Sequence, residues 1–222
     1  PLAKLAAKVM SGLTLKELGF TKEVIPPYYT VKEAVFPWNR FPGIDVVLGP
    51  EMHSTGEVMG IDRDPEIAYM KSQISAFNPL PDKGLVFISV NDRDKEMVTE
   101  IARDIASAGF SICATKGTMQ HLQSHGIACE RAYKVLEGHR PHIVDRIKNG
   151  DIVFVINTPG SHDAREDEVA IRAAAVNNNI SYCTDLSSAR ACAAAILHNK
   201  NKVTTVCTLQ EFHASAEAAA RA

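Results

Sequence analysis

Between Leu85 and Thr118 the chain alternates between two periodicities. LVFIS, bounded by Gly84 and the Asn91-Asp92 turn, is a short continuous apolar run of the kind found in a strand buried on both faces of a parallel sheet. The next segment has a helical repeat. Met97, Val98, Ile101, Ala102, Ile105 and Ala108 recur at one, three and four residues and form one apolar face, leaving Lys95, Glu96, Thr99, Arg103 and Asp104 to water. Gly109 is predicted to end this helix in the left-handed region, and Phe110 to Cys113 to form the next strand. The unit is β-α-β, with the right-handed crossover such units adopt.

The alternation continues beyond Thr118. Helices are predicted over 118–124, 141–148, 166–177 and 187–198, the third with Val169, Ala173 and Val176 on its inner face. Strands are predicted near 128–132 and over 152–156, 180–183 and 203–207. Thr208 and Glu211 have the spacing of a capping box and start a terminal helix whose Ala-rich end frays. Upstream the pattern is different. Residues 1–10 read as a helix; between Gly19 and Gly60 prolines at 26, 27, 37, 42 and 50 alternate with aromatic residues, predicting extended, packed segments. Residues 1 to about 62 are too poor in alternating apolar runs for a core of their own, so they are expected to be the edge of a larger domain. A helix over 65–77 with Ile67, Ala68, Met70 and Ile74 inward leads to a proline-rich linker, Asn78 to Gly84. The expected division is 1–80, 81–213 and a tail, 214–222. The fold class is α/β, an open, doubly wound, mainly parallel sheet flanked by helices and preceded by an irregular and helical segment.

Composition limits the function classes. Twenty-four basic and 26 acidic side chains are interspersed, with a net charge of -2, so nothing electrostatic recommends nucleic acid. No apolar run approaches the roughly 20 residues that span a bilayer, and a soluble, cytoplasmic protein without a membrane partner is expected. Five cysteines, 113, 129, 183, 192 and 207, lack CxxC spacing and read as reduced core thiols.

Ligands of open α/β sheets sit beyond the carboxyl ends of the strands. Those ends carry Ser89, Asn91 and Lys95 on one side and Thr115, Lys116, Gly117 and Thr118 on the other. Hydroxyls, backbone N–H groups and a helix dipole together favour a phosphate. The same residues also fit a turn in which threonine merely caps a helix. Asn157 ends another strand on this edge, where an amide can read a base or ribose. His139 and His142 lack a third ligand for a metal, consecutive Ser161, His162 and Asp163 cannot form a triad, and Glu166-Asp167-Glu168 suits the start of a helix. No metal site and no catalytic residue is expected.

In order, PLAKLAAKVM, TKEVIPPYYTVKEAVFPWNRFPGIDVVLGPEMHSTGEVMGID and CATKGT resemble the carboxyl-terminal part of the large chain of bacterial carbamoyl-phosphate synthetases. The resemblance runs from residue 1 to about 213. It implies that residues 1–80 are the tail of an ATP-grasp module with its linker and 81–213 a methylglyoxal-synthase-like allosteric domain, which would account for the abrupt helical start. It implies a nucleotide effector site of Ser89, Lys95, Thr115, Thr118, Lys134 and Asn157, with UMP as inhibitor and IMP as activator. It also implies an ornithine site of Glu33, Leu48, Tyr182 and Thr184.

The whole enzyme would make carbamoyl phosphate from bicarbonate, glutamine-derived ammonia and two ATP, with magnesium and potassium ions. Its partners would be the rest of the large chain, a glutaminase small subunit and further copies through the allosteric domain. The fragment itself would need no cofactor and hydrolyse no ATP. Two departures from the pattern stand out: Pro159 where a threonine is expected, and EGHRPH, one residue longer than its counterpart. Two other readings are a methylglyoxal synthase, whose catalytic aspartate would fall at Arg140, and a ligand-free assembly module.

Overall fold

A computed structural model describes residues 1–40, 53–158, 160, 165–200 and 204–214. Leu48, Pro159 and the Ser161 to Asp163 run lie outside the described residues.

The chain forms helix α1 (Leu2–Met10), strand β1 (Tyr29–Val35), strand β2 (Gly56–Asp62) and helix α2 (Pro65–Ser75) before the main sheet begins. The main sheet alternates strand and helix: β3 (Leu85–Ser89), α3 (Lys95–Ser107), β4 (Ser111–Ala114), α4 (Lys116–Ser124), β5 (Glu130–Arg131), α5 (Ile143–Lys148), β6 (Ile152–Asn157), α6 (Arg165–Asn177), β7 (Ser181–Cys183) and α7 (Leu186–Asn199). Its order is β5-β4-β3-β6-β7 and every pairing is parallel.

The apolar strands supply both faces of the sheet, as two-residue periodicity requires. Val86, Ile88, Phe154 and Ile156 pack with α3, α4 and α7. Phe87 and Val155 point the other way, into Ile143, Ile147 and Ile171 of α5 and α6. The sheet is therefore doubly wound. From β3 the chain moves outward through β4 to β5 and then returns to β6 on the other side, so the order reverses between β3 and β6. That reversal opens a crevice at their carboxyl ends.

The upstream elements are organised more than the sequence suggested. β1 and β2 form an antiparallel pair with Tyr29 opposite Asp62 and Val35 opposite Gly56, and α2 lies across them. Gly60 makes this possible: a Cβ there would stand 1.9 Å from Ala68 O and 2.5 Å from Ser72 N, so β2 meets the α2 backbone where only glycine fits. α2 also packs on α7, joining the upstream pair to the helical layer of the main sheet. α1 buries none of its residues, and Leu2 and Met10 stay exposed.

Several expectations need correction. The strand predicted over 203–207 is absent over 204–208, and Val206 is 94% exposed; β-branched residues favour a strand only where a half-buried pleated surface receives them. Ile74 faces solvent while Ser72 and Gln73 are buried, because α2 turns its polar edge toward Glu33 and the β2 backbone. Thr99, expected in water, is buried beneath His121, whereas Met97 is exposed. In α6 the buried face is Asp167, Glu168, Ile171, Arg172, Ala174 and Ala175, with Val169, Ala173 and Val176 only partly covered. The acidic start is buried because it serves neighbouring loops. Asp167 accepts from Leu136 N at 3.2 Å, and Glu168 accepts from Gly160 N at 2.9 Å.

Gly109 does end α3 at φ 90°, and Thr208 and Glu211 form the capping box at 2.8 to 3.2 Å. All five cysteines are free; Cys113, Cys183 and Cys192 are buried, but Cys207 is exposed. Burial pushes the Cys113 thiol up to about 12. Among the described residues no helix is long and apolar enough to cross a membrane.

Candidate functional site

At the crevice, three hydroxyls meet. Ser89 Oγ at the end of β3 lies 3.3 Å from Thr115 Oγ1, which donates to Thr118 Oγ1 at 3.4 Å; Thr118 Oγ1 in turn accepts from Val90 N at 3.3 Å. Thr115 stands at the N-cap of α4 with extended backbone, yet its side chain makes no capping bond. The reading of Thr115 as a simple cap does not hold: its hydroxyl faces β3. The first-turn amides of α4 receive no side-chain cap, so donors and the positive end of the helix dipole face the crevice.

Lys95 opens α3 directly opposite. Its Nζ would be 3.4 Å from a Cβ on Gly117, the second residue of α4, and it pairs with the exposed Asp92 at 2.7 Å. The bond to Lys95 holds the Asp92 carboxyl below the usual carboxylate range. Glycine at 117 leaves room for a cation over the helix start. Lys134 follows β5, partly buried, on the same edge but two strands out from β3.

Asn157 ends β6 with only 1% of its surface exposed. Its Nδ2 donates to Ser89 O at 3.3 Å and its Oδ1 accepts from Arg172 Nη1 at 3.0 Å. Both ends of the amide therefore join β3, β6 and α6 beneath the crevice. Next to it, Thr158 Oγ1 accepts from Asn91 N at 3.2 Å and Asn91 Nδ2 at 3.3 Å. Thr158 belongs to the Asn157 to Gly160 run at the strand end, but Arg172 is not evident from the sequence, where its one signal is an arginine flanked by apolar residues in a predicted amphipathic helix.

Glu33, Tyr182 and Thr184 lie together in a different place. They line a cavity of about 930 Å³ among β1, α2, β7 and the start of α7, with Trp38, Gln73 and Asp185. Glu33 Oε2 accepts from Gln73 Nε2 at 2.9 Å. Burial pushes the Glu33 carboxyl up, against the lowering effect of that bond. A half-buried carboxylate in a cavity that also carries hydroxyls suits a cationic amine.

The loop 138–142 does not assemble a metal or an acid-base centre. His142 accepts from Asp145 N at 3.2 Å and caps α5, His139 lies against Tyr133 with ring centroids 4.5 Å apart, and Arg140 pairs with Asp145.

A family model described as an MGS-like domain matches residues 97–184. The chain is 49% identical over 212 residues to the carbamoyl phosphate synthase large chain of Gemmatimonas aurantiaca, covering 96% of this chain and 19% of that protein. The large chain of Xanthomonas campestris is 46% identical over 220 residues, covering 98% and 20%, and that of Nostoc is 47% identical over 212 residues, covering 96% and 19%.

The chain belongs to the carbamoyl phosphate synthase large-chain family. It spans about a fifth of the length of these relatives. The crystal structure of ForH matches 62% of this chain and 91% of its own at 18% identity, with a TM-score of 0.38. Within the large-chain family, the MGS-like match covers α3 to β7 and so includes Thr115, Thr118, Lys134 and Asn157, with Ser89 and Lys95 immediately before it.

Proposed function

We propose that this chain is the C-terminal regulatory part of a carbamoyl phosphate synthase large chain and that its crevice binds a nucleoside monophosphate. The observation that carries the reading is the meeting of Ser89, Thr115 and Thr118 at the uncapped start of α4 with Lys95 above Gly117. A dianionic phosphate needs several donors to replace its water; hydroxyls, helix-terminal amides and an ammonium group supply them together. Lys134 adds charge from β5, and Asn157 supports the site by holding the end of β3. UMP and IMP are the effectors the family suggests, and Pro159 bears on the choice between them.

The second part of the proposal concerns the cavity. Glu33 receives the amine of ornithine, while Tyr182 and Thr184 meet its polar end, next to the segment containing Leu48. The complete enzyme makes carbamoyl phosphate from bicarbonate, glutamine-derived ammonia and two ATP, for pyrimidine and arginine biosynthesis, with magnesium and potassium ions. It works with a glutaminase small subunit, and copies assemble through the allosteric domain. This chain transmits effector binding and hydrolyses no ATP by itself.

The test is a calorimetric titration of UMP, IMP and uridine into the chain and into Lys95→Ala. Nucleotides should bind, uridine should bind far more weakly, and the variant should lose about tenfold or more in affinity, because a charge-assisted bond contributes roughly 1.5 to 3 kcal/mol. Equal binding of uridine and UMP, or an unchanged Lys95→Ala variant, would remove the phosphate site. Turnover of dihydroxyacetone phosphate would instead favour a methylglyoxal synthase, a reading that the arginine at position 140 opposes by offering no carboxylate to take a carbon proton.

A further inference from the structure

Between the first turn of α3 and the end of α4, Glu96, His121 and His125 form a group whose ligand atoms, one from each side chain, all lie within 4.8 Å of one another. The two histidines are four residues apart, His121 in the last turn of α4 and His125 at its C-cap. Their ring centroids are 4.4 Å apart. Glu96 reaches the same place from the first turn of α3.

The hydrogen bonds around the rings prepare them as ligands. Thr99 Oγ1 gives its only proton to Lys95 O at 3.0 Å. Its 3.0 Å bond to His121 Nε2 must then be accepted from an Nε2–H, which leaves Nδ1 of that ring as a lone pair. His125 Nδ1 lies 2.8 Å from His121 O, a pure acceptor, so Nδ1 carries the proton and Nε2 is the lone pair. Each ring thus has its tautomer set by a backbone or hydroxyl partner and one nitrogen left basic, the arrangement that supports metal-bound histidines.

We infer that Glu96, His121 and His125 bind one divalent transition-metal ion of the zinc class. Two neutral imidazoles and one carboxylate suit zinc, nickel or copper rather than magnesium or calcium, which take oxygen ligands. Zinc needs ligand distances of roughly 2.0 to 2.2 Å. Glu96 and His125 are exposed and can close the set by side-chain rotation, with water completing the coordination. The ion would tie the first turn of α3 to α4. On the effector reading above, those are the two helices whose starts carry Lys95 and Thr118, but the inference rests on the ligand group alone.

The test is calorimetric titration of zinc chloride into the full chain without nucleotide, in a Cys207→Ser background so that the exposed thiol does not compete. One ion per chain is expected, with no comparable binding of magnesium. His121→Ala and His125→Ala should each weaken zinc at least tenfold, and Glu96→Gln several-fold, with unchanged circular dichroism. Nucleotide affinity measured on the same variants separates this inference from the effector reading, since zinc binding should be lost whether or not UMP binds. Absence of binding at millimolar zinc overturns the inference. So does full affinity in the His121→Ala/His125→Ala double variant, or loss only with His198→Ala, which would locate the ion at the second group formed by Asp64, Glu66 and His198.

Discussion

Arg172 donates from Nη1 to Asn157 Oδ1 at 3.0 Å, and both residues are almost completely buried, at 2% and 1% exposure. The pair links α6 to the end of β6 directly under the crevice. Glu168, one turn earlier on α6, stands 3.8 Å from the same guanidinium group. Removing the arginine would leave a buried carboxylate and a buried amide oxygen without this partner, and breaking a buried ionic group from one side costs about 3 to 5 kcal/mol. Arg172→Met should lower the urea midpoint accordingly. It should also weaken nucleotide binding, because Asn157 would no longer hold Ser89 O in place.

Gly117 separates stability from binding. Its backbone is helical, so alanine there should raise helix stability by about 0.5 to 1 kcal/mol. The new Cβ would lie 3.4 Å from Lys95 Nζ and occupy space beside the proposed phosphate. Gly117→Ala is expected to melt at a higher temperature yet bind UMP several-fold more weakly. A tighter complex in calorimetry would mean that the anion does not sit over the start of α4.

Glu33 makes a prediction about pH. Burial raises its pKa, so between the ordinary glutamate value and the raised one the folded chain keeps a proton that the unfolded chain has lost. Stability in that window falls as pH rises. Glu33→Gln, which can still accept from Gln73, removes the loss: its melting temperature at pH 7 should match or exceed the parent's, with a flatter profile toward acid. In the full enzyme the same variant should respond to ornithine only at much higher concentration. An unchanged concentration dependence would rule out the contact.

Gly60 tests the attachment of the upstream strands. Alanine would force Cβ into the Ala68 carbonyl, with no flexible side chain to yield. Gly60→Ala should therefore cost about 3 kcal/mol by separating β2 from α2, read as an earlier transition in thermal unfolding.

The sequence by itself determined most of the sheet and much of the crevice. LVFIS and IVFVI announced buried parallel strands because both faces are covered and every position but Ser89 is apolar. The strand-to-turn boundaries placed Ser89, Thr115, Thr118 and Asn157 at one edge before any pairing was known. Periodicity also located α3 and its glycine cap.

What local pattern could not carry was decided by tertiary packing. The inner face of α6 was misassigned because Asp167, Glu168 and Arg172 are buried through hydrogen bonds to loops from elsewhere in the chain, and polarity then no longer marks exposure. The seating of β2 on α2 depends on Gly60 meeting the backbone of Ala68 and Ser72, a contact that neither hydrophobic pattern nor propensity reveals. Glu33 and Tyr182 share a cavity although about 150 residues separate them, since α2 and α7 pack together. The strand expected near 203–207 does not form over 204–208, where Val206 is exposed and propensity has no half-buried surface to act on. Sequence sets which backbones can be strands or helices; which polar groups meet beneath them follows from long-range contacts and their burial.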